Sequence, residues 1–170
     1  MKIISAKNSG FSIIELVLVV FVIGLTAGLS YPSFKRQLDN FTLNSGNRIL
    51  SSWIDDQRRK AIQNSSPCDI TINSSEVSAS SQCDFENTTG SIINLVSEID
   101  RGDELNISLT QGNATWTFSP RGTTRSTVEL RIGLNDSEVN EKCLLVREPL
   151  GLIQTGRLTT GGVCNFNTRY

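Results

Sequence analysis

The run Phe11 to Leu29, FSIIELVLVVFVIGLTAGL, constrains this chain more than any other stretch. About twenty apolar residues rising 1.5 Å each span the hydrocarbon layer of a bilayer, and a helix is the conformation that satisfies every backbone polar group there. The run carries one carboxylate, Glu15. An ionised carboxylate inside a membrane helix costs roughly 2.5 to 3.5 kcal/mol on insertion scales, so a partner for Glu15 is expected. A glutamate snorkelling to the headgroups is the plainer alternative. Whatever follows Leu29 has to be carried outside the bilayer.

A short polar leader, MKIISAKNSG, precedes the run and carries Lys2 and Lys7. A secretory signal places its small-residue cleavage site after the apolar core. Here the small residue, Gly10, stands before it. Cutting after Gly10 would leave a charged amine on Phe11, at the head of an apolar rod, with Glu15 one helical turn further on. When such rods stack with an axial offset of about one turn, the amine of one neutralises the carboxylate of the next, and two groups costly in lipid become a register device. Gly24, Ala27 and Gly28 would allow close helix approach in that bundle.

The segment GFSIIEL, close to the start and opening an apolar helix, resembles the class III leader of type IV pilins and type II secretion pseudopilins. The resemblance implies that a prepilin peptidase cuts between Gly10 and Phe11 and methylates the new amine of Phe11, and that Glu15 is the assembly glutamate. Pro32 stands where pilins commonly carry a proline, which removes a backbone donor and is expected to kink the helix. The implied partners are other pilins in a filament, the prepilin peptidase and the inner membrane. No cofactor is implied. The implied location is a single-pass inner-membrane protein with a periplasmic head, later part of a pilus or pseudopilus.

The chain has 170 residues, enough for one membrane helix and one modest head. The expected division is a leader over 1–10, a transmembrane and filament-core helix over 11–31, an amphipathic upper helix over 32–64 and a β-rich head over 65–170. Losing Lys2 and Lys7 with the leader takes the 16 basic side chains to 14, against 17 acidic. Bulk charge therefore supplies no general affinity for nucleic acid.

From Pro32 to about Asn64 the sequence is compatible with helix. Phe34, Leu38 and Phe41 share one face, and Leu43, Leu50, Ile54 and Ala61 lie nearly opposite. The first face is expected to extend the filament core and the second to pack on the head. A plain amphipathic helix weakened at Gly46 is the alternative. Arg58, Arg59 and Lys60 suit the negative end of the helix dipole better than a binding role.

After the break NSSP the chain is strand-like with turn punctuation. Strands are expected over Asp69–Asn73, Glu76–Ser80, Ile92–Val96, Leu105–Leu109, Thr115–Ser119, Thr127–Ile132, Cys143–Arg147 and Leu152–Thr155, with loops or an edge between Ser74 and Gly90. The fold class is therefore α+β: a long N-terminal helix, membrane-spanning in its first half, on a small antiparallel sheet or two, as in the pilin fold. Cys68, Cys83, Cys143 and Cys164 read as two disulfides in an exported domain, and three pairings exist. The expected one is local, Cys68 with Cys83 and Cys143 with Cys164. A zinc site lacks both His and a C-x-x-C pair.

Three stretches narrow the resemblance. SSWIDDQRRKAIQN before CDITI, WTFSPRGTTRSTVELRI with its Phe118-x-Pro120-x-Gly122 turn, and CLLVREPLGLIQTGR are similar to segments of the GspH/FimT group of minor pilins and pseudopilins. In competence-linked members of that group a C-terminal Gly-Arg-x-Arg element is associated with DNA binding. Here Gly156-Arg157-Leu158-Thr159 lacks the second arginine. Arg157, Arg169, Arg147 and Arg125 remain candidate phosphate contacts, and a solvated basic face is the plainer reading.

The leading expectation is a structural subunit that helps initiate or cap a type IV pilus or type II secretion pseudopilus. A DNA-binding minor pilin for natural transformation is the alternative. An exported enzyme is disfavoured, because the chain has no His and no G-x-S-x-G. Asn-x-Ser/Thr sequons at Asn64, Asn73, Asn87, Asn106 and Asn113 fit an Asn- and Ser-rich surface.

Overall fold

A computed structural model describes residues 12–84, 90–99, 101–135, 137 and 139–166, without the side chains of Ala27, Leu29, Ser30, Pro32 and Asp103. The chain divides into two compact units, Met1–Lys35 and Arg36–Tyr170. Helix α1, Ile13–Gln63, begins in the first and ends in the second. Among the described residues no helix is long and apolar enough to cross a membrane. The expected span Phe11–Leu29 falls partly on residues outside that description, as do the cleavage site Gly10–Phe11 and the side chain of Pro32.

In the second unit α1 buries the face that the spacing singled out. Leu43, Leu50, Ile54 and Ala61 are fully buried, whereas Leu38 and Phe41 on the other face are exposed. The helix runs unbroken through Gly46, whose position lies in ordinary contact distance of Ile99 and Leu105. It ends in a Schellman motif. Ser66 N donates to Ala61 O at 3.1 Å, Ser65 N to Ile62 O at 3.2 Å, and Ser65 takes the left-handed position with φ 50°.

Two antiparallel sheets follow. The strands are β1 (Cys68–Asn73), β2 (Ser78–Cys83), β3 (Ile92–Asn94), β4 (Leu105–Gln111), β5 (Thr115–Phe118), β6 (Val128–Leu134), β7 (Lys142–Arg147), β8 (Leu152–Leu158) and β9 (Cys164–Asn165). One sheet has the order β3-β2-β1-β5 and the other β4-β6-β7-β8-β9. The core gathers the buried α1 residues with Ile70, Ile72, Phe118, Leu130, Ile132 and Leu144, among others.

Several expected boundaries are corrected. Ser74 to Val77 form a turn, because Asn73 Oδ1 accepts from Ser75 N at 3.2 Å, from Ser75 Oγ at 2.7 Å and from Glu76 N at 3.4 Å. The strand then runs from Ser78 to Cys83 and lies inside its sheet, not in a loop or at an edge. Its polar side chains are accommodated locally: Ser81 Oγ donates to buried Gln57 Oε1 at 3.0 Å, and Cys83 is bridged to Cys68. The stretch expected as strand Ile92–Val96 stops at Asn94. The Asn94 Oδ1 accepts from Val96 N at 2.9 Å and caps a short helical turn, α2 (Leu95–Glu98). The strands β4, β6 and β8 run further than expected, and β9 had no apolar alternation to reveal it.

Candidate functional site

Glu15 lies in the first turn of α1, where Glu15 N donates to Ser12 O at 3.0 Å, and its side chain is exposed. The apolar residues around it are exposed as well: Ile13 by 84%, Leu16 by 60% and Phe21 by 65%. A Cβ at Gly24 or Gly28 would meet nothing within 4 Å among the described residues. An apolar surface this bare to water is unfavourable at roughly 25 cal/mol per Å².

In the head, the two disulfides are Cys68–Cys83 and Cys143–Cys164. Among the described residues no cysteine is free to act as a metal thiolate. Cys68 and Cys83 face each other directly across β1 and β2, with Cα atoms 4.1 Å apart.

The candidate arginines are not gathered into one site. Arg157 pairs with Lys142 in the β7–β8 ladder, and Arg147 pairs with Leu152 at its other end. Because side chains alternate faces along a strand, Arg147 points from the opposite face to Arg157. At about 3.4 Å per residue, their stations lie roughly 17 Å apart along the ladder. Arg157 lines a groove with Asn44, Asn47 and Arg48 of α1, whereas Arg147 borders another with Gln154 and Phe166. Arg125 borders a third, and Arg169 lies outside the described residues. Beside Arg157, Lys142 is buried, and its pKa is lowered by that burial and by the positive charge of Arg157.

Sequence reasoning missed three polar features that shape the head. Arg58 donates from Nε to Gly122 O at 2.9 Å and from Nη2 to Leu150 O at 3.2 Å, so it clamps two loops and does more than complement the dipole. Buried Asp39 accepts from Arg101 Nη1 at 3.0 Å and from Ser137 Oγ at 2.9 Å, while Arg101 also pairs with Glu104. Those bonds to Glu104 and Asp39 raise the Arg101 pKa above its ordinary value. The third is a groove of about 650 Å³ between β5 and the Pro120–Gly122 turn, lined by Trp116, Arg121 and Arg125. Only the turn itself had a local signal, Pro120 and Gly122.

No protein-family model matches the chain, and no curated protein matches it. Solved structures do. Two crystal forms of the type IV minor pilin FimU from Pseudomonas aeruginosa superimpose with TM-scores of 0.54 and 0.51 at 15% identity. The match covers 72% of this chain and 92% or 97% of the FimU chains. This is the fold of a type IV minor pilin. Within that minor-pilin fold, α1 supplies the helical spine of the head through Leu43, Leu50, Ile54 and Ala61. The polar residues Arg58 and Asp39 fasten loops of the head to it.

Proposed function

We propose that this chain is a minor pilin or pseudopilin, a structural subunit that helps initiate or cap a type IV pilus or type II secretion pseudopilus. A prepilin peptidase cuts between Gly10 and Phe11 and methylates the amine of Phe11. The apolar run from Phe11 holds the chain in the inner membrane with its head in the periplasm. Glu15 then neutralises the amine of a neighbouring subunit as the helices stack. The observation that carries this reading is an exposed apolar run at the start of α1 whose one carboxylate is Glu15, with Ile13 and Phe21 exposed by 84% and 65%, on a chain with a minor-pilin fold. Buried elsewhere only by other helices or lipid, such a surface is made for assembly.

DNA uptake is the weaker reading, because Arg147 and Arg157 occupy opposite faces of the β7–β8 ladder. The deciding experiment expresses the full chain in cells with and without prepilin peptidase. Processing is followed by N-terminal sequencing, and incorporation by immunodetection in sheared filaments. Processed protein starting at methylated Phe11, and loss of incorporation in Glu15→Ala, are expected. Retention of residues 1–10 despite the peptidase, or unchanged incorporation of the variant, overturns the proposal.

A further inference from the structure

Strand β5 ends its sheet, pairing with β1 on one side only among the described residues. Which backbone groups it leaves open follows from the ladder. Ile72 N donates to Ala114 O at 2.9 Å, and antiparallel pairs alternate between bonded and unbonded stations. Ala114, Trp116 and Phe118 therefore spend their backbone groups on Ile72, Ile70 and Cys68. The N–H and C=O groups of Thr115 and Thr117 turn away from β1, to the open side. The Cys68–Cys83 bridge agrees with this phase, since it sits at a station where β1 and β2 are not hydrogen-bonded to each other, with Cα atoms 4.1 Å apart.

An open edge of this kind is a template for another strand, and proteins ordinarily blunt it with charge, a bulge or a covering loop. Here a groove of about 650 Å³ takes Trp116 and Thr117 of β5 into its lining, together with Pro67, Arg121 and Arg125. Both guanidinium groups are exposed, and among the described residues neither makes an ion pair. Their nearest sequence neighbours, Ser119 to Ser126, contain no acid to answer them. Trp116 is 3% exposed, and its indole Nε1–H is buried without an acceptor among the described residues. The groove thus offers backbone donors and acceptors at strand spacing and two cations that make no ion pair among the described residues.

We infer that β5 receives an extended, acidic peptide segment of a partner protein, which adds as a strand at Thr115–Thr117 and places carboxylates on Arg121 and Arg125. Strand addition supplies main-chain hydrogen bonds, and the flanking charges select the sequence. A carboxylate matches a guanidinium in two parallel bonds, which fixes register as well as adding affinity. This surface is separate from the apolar face of α1, and the inference does not rest on the pilin reading.

The test uses the full-length chain in detergent micelles and a decapeptide of alternating threonine and glutamate as the probe, with binding followed by calorimetry. The same peptide with lysine for glutamate, the same peptide N-methylated at alternate backbone nitrogens, and a short DNA duplex are the other arms. Saturable binding of the acidic peptide is expected, with loss of binding for the lysine and N-methylated versions. Arg121→Glu with Arg125→Glu should weaken it by about tenfold or more. Thr117→Pro should abolish it, and because that N–H faces away from β1, an edge proline is tolerated there. Should the proline variant fail to fold, the N-methylated peptide carries the same test. Equal binding of the N-methylated and parent peptides would reduce the site to an anion patch and overturn strand addition. So would preference for the lysine peptide or for DNA, or no saturable binding of the acidic peptide.

Discussion

Arg58, one turn before the end of α1, donates from Nε to the carbonyl of Gly122 at 2.9 Å and joins that loop to the one at Leu150 through Nη2. The clamp works because both loops turn through glycines at positive φ, Gly122 at 72° and Gly151 at 62°. A Cβ at Gly151 would come within 2.5 Å of Gly122 O, so the loops touch each other as well as Arg58. Arg58→Ala removes both bonds and leaves two carbonyls to find water. A loss of about 1 to 2 kcal/mol is expected, read as a lower denaturant midpoint with unchanged slope.

The Cys68–Cys83 bridge closes a loop with a sequence separation of 15. Replacing both cysteines by alanine should cost about 3 kcal/mol through the greater freedom of the unfolded chain. Thermal unfolding with and without reductant checks it. Reductant opens both bridges, so the reduced wild type should melt below the double variant kept without reductant, which retains Cys143–Cys164.

Ser65 sits in the left-handed position that closes the helix, at φ 50°. Glycine adopts that conformation without the Cβ clash, so Ser65→Gly should raise stability by about 0.5 to 1 kcal/mol. Equilibrium unfolding of the variant reads the sign directly.

Lys142 gives a pH signature. Burial, followed by the charge of Arg157, lowers its pKa below the ordinary 10.5 in the folded protein. The unfolded chain therefore binds the proton more readily over the window below pH 10.5, and stability attributable to this residue rises as pH rises through it. Lys142→Met has no such group. The stability of the wild type relative to that variant should increase with pH up to about 10.5 and level off above it, as measured by denaturant midpoints.

Much of the head could be read from its residues because the signals are local. The face Leu43, Leu50, Ile54 and Ala61 repeats at helical spacing, and all four are buried. Trp116 and Phe118 alternate with exposed Thr115 and Thr117, and their strand appears where alternation places it. Where the pattern is weak the reading is partial. The residues suggest a strand over Glu76–Ser80 and a loop or edge after it, whereas SASSQC carries the strand on to Cys83 inside a sheet, where Gln57 and Cys68 meet it from elsewhere in the chain.

The candidate site divides along the same line. The order of residues alone specifies an apolar run with a single acid at Glu15, a glycine before it, and a turn at Pro120–Gly122, since each is a property of neighbouring side chains. Tertiary structure decided that Arg147 and Arg157 part company across a ladder, that Arg101 reaches Asp39, and that β5 is left with one open edge among the described residues. Those outcomes depend on which distant strands pair and in what register. A one-residue change of register would exchange the two faces, and no local pattern records that choice.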